Sequence, residues 1–316
     1  MAGDSFKNCE VEHWIGRGDV GRLDGRVAIV TGGGRGVGAA IASTLAAEGA
    51  SVVINDLGTT LGGVEDDTSV AAQMVDQIRA AGGKAVADTS DVTSFEATGQ
   101  LIARAVEAFG RLDVLVNIAG NLRDRMIFNM AEEEWDAVIA VHLKGTFNTT
   151  RHAAAYWRNN PGGAYRLINC ASRAGIFGGP TQPNYAAAKM GIVGLTLSCS
   201  NSLKKYGVTS NCISPSANTR MLEGVNPELT ASLGFGSDTA MSPANVAPAA
   251  AYLASEQSGW INGRIIGAGG RRFTLYHAPA VEREVVSTVD WDVASAFDAI
   301  ETSFRPAIER SSPFGN

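Results

Sequence analysis

The chain has 316 residues, 45% of them hydrophobic and 18% charged, an ordinary globular balance with length enough for a full core. A net charge of −6 argues against a nucleic-acid or anionic-membrane surface, and no apolar run reaches the ~18 residues that span a bilayer. The four cysteines, Cys9, Cys170, Cys199 and Cys212, show no CxxC spacing, and three of them lie in apolar-looking segments, so buried free thiols in a reducing compartment are expected.

Residues 1–23 read as a polar N-terminal extension, acidic where a secretory signal is basic. The last residues carry no peroxisomal tripeptide, so a cytoplasmic address is expected. From there apolar, strand-like runs alternate with helical patterns. VAIVTG (27–32) precedes a small-residue helix, and SVVIND (51–56) is followed by a Gly/Asp/Thr-rich loop and a helix over 70–81. KAVADTSDV (84–92) leads to a helix ending near Phe109, and LDVLVNIAG (112–120) to one long helix over 132–158. YRLINCAS (165–172) precedes a helix from Asn184 to about Tyr206. VTSNCISP (208–215) opens a polar loop, a helix covers 244–253, and GRIIGAGG (263–270) closes the series. Short, near-continuous apolar strands separated by helices predict a parallel sheet covered on both faces. The fold class is thus α/β, a doubly wound Rossmann-type sheet of about seven strands in a single domain over 24–270. A helical tail is expected over 271–316, where Trp291, Ala294, Phe297, Ile300 and Phe304 recur at helical steps. Its apolar face calls for cover, from its own domain, from a second subunit or over a substrate pocket.

TGGGRGVG (31–38) follows the first strand and opens the first helix. Glycines there let the backbone approach a pyrophosphate, and the helix start offers amide donors and a positive dipole end. Gly32, Arg35, Gly36, Val37 and Gly38 are accordingly candidate cofactor contacts. Asp56 ends the second strand about 20 residues on, where an acidic residue meets the adenosine ribose. A carboxylate accepts hydrogen bonds from both ribose hydroxyls and repels a 2′-phosphate, whereas Arg35 would attract one. Weighing the carboxylate more heavily, NAD is expected rather than NADP. A turn cap is the plain alternative for Asp56.

NYAAAKMG (184–191) sets Tyr185 and Lys189 four residues apart, on one helix face. A phenol has a pKa near 10, so it is a poor base at neutral pH. One ammonium at about 4 Å, in an effective dielectric near 20, contributes about 4 kcal/mol toward the phenolate. The pair reads as a tyrosine tuned for proton transfer; a solvent-facing surface pair is the plain alternative.

TGGGRGVG, NIAG (117–120), Ser172 and the Tyr185–Lys189 pair, in this order, resemble the short-chain dehydrogenase/reductase family over about Leu23 to Gly270. NDLG (55–58), GGKAVAD (82–88), NLRDRM (121–126), VHLKGTF (141–147) and PSANTRM (215–221) are similar to the (3R)-hydroxyacyl-CoA dehydrogenase modules of peroxisomal type 2 multifunctional enzymes. A hydratase domain follows in those proteins, and the expectation here is a dehydrogenase unit standing alone. The resemblance implies that Tyr185 exchanges a proton with the substrate hydroxyl. It also implies that Lys189 lowers the tyrosine pKa and holds the nicotinamide ribose, and that Ser172 hydrogen-bonds the substrate oxygen. Asp91 and Val92 would border the adenine, Asn117, Ala119 and Gly120 the cofactor-side loop, and Pro215 and Thr219 the nicotinamide. The chain departs from the family in reading NIAG for NNAG and in placing Ser216 after Pro215. His142 stands where most members carry asparagine; it is either a satisfied core histidine or a group that orients Lys189 or a relay water. The remaining histidines lack metal-ligand spacing, so no metal site is expected.

The loop from Thr219 to Pro243 mixes Met221, Leu222, Leu229, Leu233, Phe235 and Met241 with small polar residues, suiting an apolar acyl chain or ring system. An ordinary solvent loop is the alternative. Arg123 and Arg125 could attract a coenzyme A phosphate, pair with Asp124 or cap a helix. The leading expectation is an NAD-dependent dehydrogenase of 3-hydroxyacyl-CoA. Kept beside it are a hydroxysteroid or other bulky-alcohol dehydrogenase, an NADPH-linked ketoacyl reductase and a silent nucleotide-binding protein. By resemblance the long helices pair subunits into a homodimer or homotetramer.

Overall fold

The computed structural model describes residues 21–59, 67–217, 241–277 and 279–310. Seven apolar runs become strands: β1 (Val27–Thr31), β2 (Ser51–Asn55), β3 (Lys84–Asp88), β4 (Val114–Asn117), β5 (Tyr165–Cys170), β6 (Val208–Ser216) and β7 (Ile265–Gly269). They pair in parallel in the order β3-β2-β1-β4-β5-β6-β7. The helices between them are α1 (Gly36–Ala47), α2 (Val70–Ala80), α3 (Phe95–Phe109), α4 (Glu132–Ile139), α5 (Gly145–Asn159), α6 (Arg173–Phe177), α7 (Pro183–Ser202) and α8 (Ala247–Ala254).

Side chains alternate across a strand, so a run that is apolar throughout needs cover on both faces. Ala28 and Val30 of β1 pack with Ile41 and Leu45 of α1, Val75 and Ile78 of α2, and Leu253 of α8. Their neighbours Val27 and Ile29 point the other way, to Leu101 and Ala105 of α3 and Trp157 of α5. Burying each of the valine, leucine and isoleucine side chains among them stabilises the fold by about 1.5–3 kcal/mol. The strand order reverses between β1 and β4, which opens a crevice at the C-terminal ends of the strands.

Three differences from the sequence reading matter. The sheet does not end at Gly270: residues Arg272–Tyr276 form β8, antiparallel to β7, where a helical tail was expected to begin. Gly270, at φ +61°, makes the tight turn, and the Arg-Phe-Thr-Leu-Tyr alternation suits an edge strand. The helix expected over 132–158 is interrupted by a π-turn, Ala140–Lys144, which adds a residue to one turn and re-aims the side chains beyond it. The third is shorter: α7 stops at Ser202, and Lys204–Tyr206 tightens into a 3₁₀ turn ending on Gly207 in the left-handed region.

The tail helix, α9 (Val293–Arg310), forms as the periodicity predicts, but its apolar face stays largely open: Phe297 is 70% and Ile300 54% exposed, while Ala307 is buried. Among the described residues, no helix is long and apolar enough to cross a membrane.

Candidate active site

The glycine loop closes because several positions have no room for a side chain. Gly32 has φ +63°, and a Cβ there would lie 2.9 Å from the backbone of Ala119; one on Gly38 would lie 1.9 Å from the Gly32 carbonyl oxygen. Thr31, at the end of β1, accepts the N–H groups of Ile118 and Ala119 at 3.1 and 3.2 Å, tying the NIAG loop to the glycine loop. Among the described residues no side chain caps α1, whose N-cap is Arg35, so the amides of Gly36, Val37 and Gly38 are offered outward. That donor set fits a dinucleotide pyrophosphate.

Asp56 lies just past β2, partly buried. Its carboxylate accepts the N–H of Gly34 at 3.0 Å and of Gly58 at 2.9 Å, so it does cap turns, yet each oxygen keeps acceptor capacity. Arg35 forms an ion pair with Asp67 at 3.6 Å. Asp91 accepts the Thr93 N–H at 2.8 Å, and Asn148 donates to the carbonyls of Val92 and Thr93 at 2.9 and 3.1 Å. Those bonds fix the loop after β3 against α5.

Asn117 is buried and belongs to the sheet interior. It donates to Asn169 at 2.9 Å and accepts from Thr149 at 2.8 Å; Asn169 donates in turn to Thr196 at 2.9 Å. This polar ladder joins β4, β5, α5 and α7 with matched partners, which a buried amide needs. Thr31 opens the TGGGRGVG stretch but was not singled out from sequence, and Asn169, which belongs to no motif, was missed.

Ser172 follows β5 and caps α6, accepting the Ala174 N–H at 3.2 Å, and its hydroxyl lies on the Tyr185 side, where it favours the ionised phenol. Asn184 donates to the carbonyls of Arg123 and Glu134, both at 3.0 Å, and accepts the Tyr185 N–H at 2.7 Å. Through it the start of α7 is pinned to the loop after β4. Lys189 is buried, donates to the Cys170 carbonyl at 2.8 Å, and holds its Nζ 5.5 Å from the Tyr185 ring centre. One face of α7 thus brings Tyr185 and Lys189 to the end of β5, as the spacing predicted.

The electrostatics differ from the simple pair. Burial pushes the Tyr185 phenol above its ordinary value, and Lys189 and Ser172 only partly pull it back. Tyr185 is half-buried, and the surrounding protein displaces enough water that desolvation of the phenolate wins. Lys189 by itself therefore does not make the lowered phenol that the pair suggested. For Lys189 burial acts to lower the pKa, but Cys170 and Tyr185 outweigh it and the ammonium is held above its usual range.

His142 sits in the π-turn, 1% exposed, with its ring edge-on to Tyr185 at a centroid distance of 5.1 Å. Its Nε2 faces both the N–H of Asn121 (3.1 Å) and the carbonyl of Asn121 (2.8 Å), so either tautomer bonds that residue; Nδ1 has no partner. Burial, with the nearby Lys189 charge, pushes its pKa down to about 3, so the ring is neutral at any ordinary pH. Gly120 makes this packing possible, since a Cβ there would lie 2.2 Å from His142 Cε1.

Pro215 lies near the end of β6, opposite Ala268 of β7. Thr219 and the loop through residue 240, including Met221, Leu222, Leu229, Leu233 and Phe235, lie outside the described residues. Arg125 pairs with Glu134 at 2.6 Å rather than with Asp124, which instead accepts from Gln182.

Comparison with known proteins agrees with this geometry. The family model described as short chain dehydrogenase matches residues 26–230. The chain is 43% identical over 284 residues to the hydroxyacyl-CoA dehydrogenase ChsB1 of Mycobacterium tuberculosis, covering 85% of this chain and 86% of that protein. It is 43% identical over 235 residues to the peroxisomal multifunctional enzyme type 2 of Drosophila melanogaster, covering 74% of this chain but 37% of that longer protein. A crystal structure of a short chain dehydrogenase from Mycobacterium avium superposes with a TM-score of 0.78 at 46% identity, over 90% of this chain and 96% of that one. With the glycine loop on one side of the crevice and Ser172, Tyr185 and Lys189 on the other, the chain belongs to the short-chain dehydrogenase/reductase family, oxidoreductases that act on CH–OH groups with a nicotinamide cofactor.

Proposed function

We propose that the protein is an NAD-dependent 3-hydroxyacyl-CoA dehydrogenase. The observation that carries this reading is the Ser172–Tyr185–Lys189 cluster, on a chain that aligns along most of its length with a relative named hydroxyacyl-CoA dehydrogenase. Asp56 favours NAD, because a carboxylate facing the ribose repels a 2′-phosphate. The ion pair of Arg35 with Asp67 offsets a cation of the glycine loop that would welcome it.

The amides at the start of α1, Asp56 and Lys189 would hold the cofactor, which would supply a hydride acceptor and, when oxidised, a positive charge. Ser172 holds the substrate oxygen, and Tyr185 Oη takes the hydroxyl proton as the alcohol becomes a ketone. Lys189 favours the phenolate, and because burial opposes ionisation in the chain alone, the full proton-accepting state belongs to the ternary complex. In the reverse direction Tyr185 returns the proton to the ketone.

A homodimer or homotetramer built through α5 and α7 is part of this reading. Phe147 on α5 and Met190 on α7 are 45% and 42% exposed, and Phe147 stacks on the exposed Phe95. Among the described residues, Cys170, Cys199 and Cys212 are buried free thiols, which suit a reducing compartment such as the cytoplasm.

The test is NADH formation by the purified protein with NAD⁺ and (3R)-hydroxyacyl-CoAs of several chain lengths, with Tyr185→Phe as control. Turnover by the wild type and its near-complete loss in the variant are expected. NAD binding without turnover of any hydroxyacyl-CoA would overturn the substrate assignment.

A further inference from the structure

A second cavity, of about 440 Å³, adjoins the site on the side away from the glycine loop. Its walls come from Arg173 and Phe177 of α6, Gly269 and Gly270 at the end of β7, and Arg271 and Tyr276 of the β7–β8 hairpin, with Arg272 beside them. Three arginines and no acidic residue line it, in a chain whose net charge is −6. Among the described residues none of the three has an ion-pair partner, whereas Arg22, Arg26, Arg35, Arg104, Arg111, Arg125 and Arg305 all do.

The hairpin that carries two of these cations is fixed by its backbone. A Cβ on Gly269 would lie 1.9 Å from the Ser216 carbonyl oxygen, and Gly270 has φ +61°. Tyr276 packs on Phe177 at a centroid distance of 6.1 Å, joining the hairpin to the segment that follows Ser172. The cavity therefore starts one residue from Ser172 and runs across β6 and β7 to β8. At about 4.8 Å per strand, β8 lies roughly 14 Å from β5. The pyrophosphate-binding amides of α1 are on the opposite side of β5, so these arginines do not serve the cofactor's phosphates.

The geometry points to this cavity as the site for the phosphate groups of the coenzyme A thioester, with its thioester arm running along the β6–β7 ends toward Ser172 and Tyr185. The inference rests on the acyl-CoA reading and extends it. Guanidinium groups form paired, charge-assisted hydrogen bonds with phosphate oxygens, and the separation from Ser172 suits a ligand whose reacting carbon and phosphates are joined by a long flexible arm. The arginines singled out in NLRDRM are less suited, because Arg125 is engaged by Glu134.

Two variants test this: Arg271→Gln/Arg272→Gln, and Arg173→Gln, with thermal melting to verify folding. For each, steady-state kinetics are compared on a (3R)-hydroxyacyl-CoA and on the same acyl group carried by pantetheine, which lacks the phosphates. Binding of free coenzyme A is measured by calorimetry with saturating NAD⁺ present. The expected result is a KM for the CoA thioester raised about tenfold or more at unchanged kcat, and unchanged kinetics on the pantetheine thioester. Coenzyme A binding should weaken in parallel and lose part of its salt dependence. An unchanged KM, or the same loss on both thioesters, overturns the proposal while leaving the dehydrogenase assignment intact. If neither thioester is oxidised, the dehydrogenase assignment fails instead. The cavity is then judged on coenzyme A binding alone: binding that depends on the arginines supports it, and no binding to the wild type overturns it.

Discussion

Gly120 is expected to be a glycine because of His142, and the cost of changing it can be worked from the packing. An alanine methyl at Gly120 would lie 2.2 Å from His142 Cε1 and 3.0 Å from each ring nitrogen. Restoring ordinary contact needs a shift of roughly 1 Å in a buried ring, and overpacking of that kind costs about 1–3 kcal/mol. The ring has little freedom to give way: Nε2 is bonded to Asn121, and its edge rests on Tyr185. Urea unfolding of the wild type, Gly120→Ala, His142→Ala and the double variant measures the coupling. The alanine should destabilise the wild type by about 1–3 kcal/mol and cost far less once the imidazole is gone, a coupling of about 1–2 kcal/mol. Gly120→Ala should also lower kcat, because the displaced ring bears on Tyr185. A wild-type unfolding midpoint for Gly120→Ala, or an undiminished penalty in the His142→Ala background, would refute this account.

His142 also predicts a pH dependence of stability. The folded chain keeps the ring neutral down to about pH 3, whereas an unfolded histidine takes up a proton below about pH 6.5. The unfolded state thus binds more protons between those values, and stability falls as the pH drops through that window. About 2 kcal/mol should be lost between pH 7 and pH 5 from this residue, read by urea unfolding, and His142→Asn should remove that part of the slope; equal slopes would count against it. Lys189→Met leaves Tyr185 to the effect of burial, so the acidic limb of alcohol oxidation should move to higher pH and turnover at neutral pH should fall by about 10²-fold or more. An unmoved pH–rate profile would show that Lys189 does not act on the phenol. Asp56→Asn removes the charge that opposes a 2′-phosphate, and the ratio of NADP to NAD use should rise by about tenfold, equivalent to ~1.4 kcal/mol. Steady-state kinetics with both cofactors check it, and a fixed ratio would place cofactor choice elsewhere.

The parallel sheet was legible because Val27–Thr31, Ser51–Asn55 and their counterparts are apolar on both faces, and only a sheet covered on both sides satisfies such runs. The glycine loop, Asp56, Ser172, Tyr185 and Lys189 were legible for a related reason. Each depends on a local feature, a strand end, a helix start or an i,i+4 step, and local spacing is written in the sequence. Three things were not. The π-turn at Ala140–Lys144 has no residue pattern of its own, since an extra residue in a helical turn is accepted only when the packing around His142 and Asn121 rewards it. The Asn117–Asn169–Thr196 ladder joins residues up to 79 positions apart, so no window reveals it. The direction of the Tyr185 shift was misjudged because a charge pair can be counted from sequence, whereas the water that surrounding elements displace cannot. Burial, the turn of the β7–β8 hairpin and the gathering of Arg173, Arg271 and Arg272 around one cavity exist only once the chain has closed on itself. The sequence alone determined the seven parallel strands, most of the helices and the helical step that sets Tyr185 and Lys189 on one face; the tertiary structure decided their solvation and their neighbours, because both depend on segments distant in the chain.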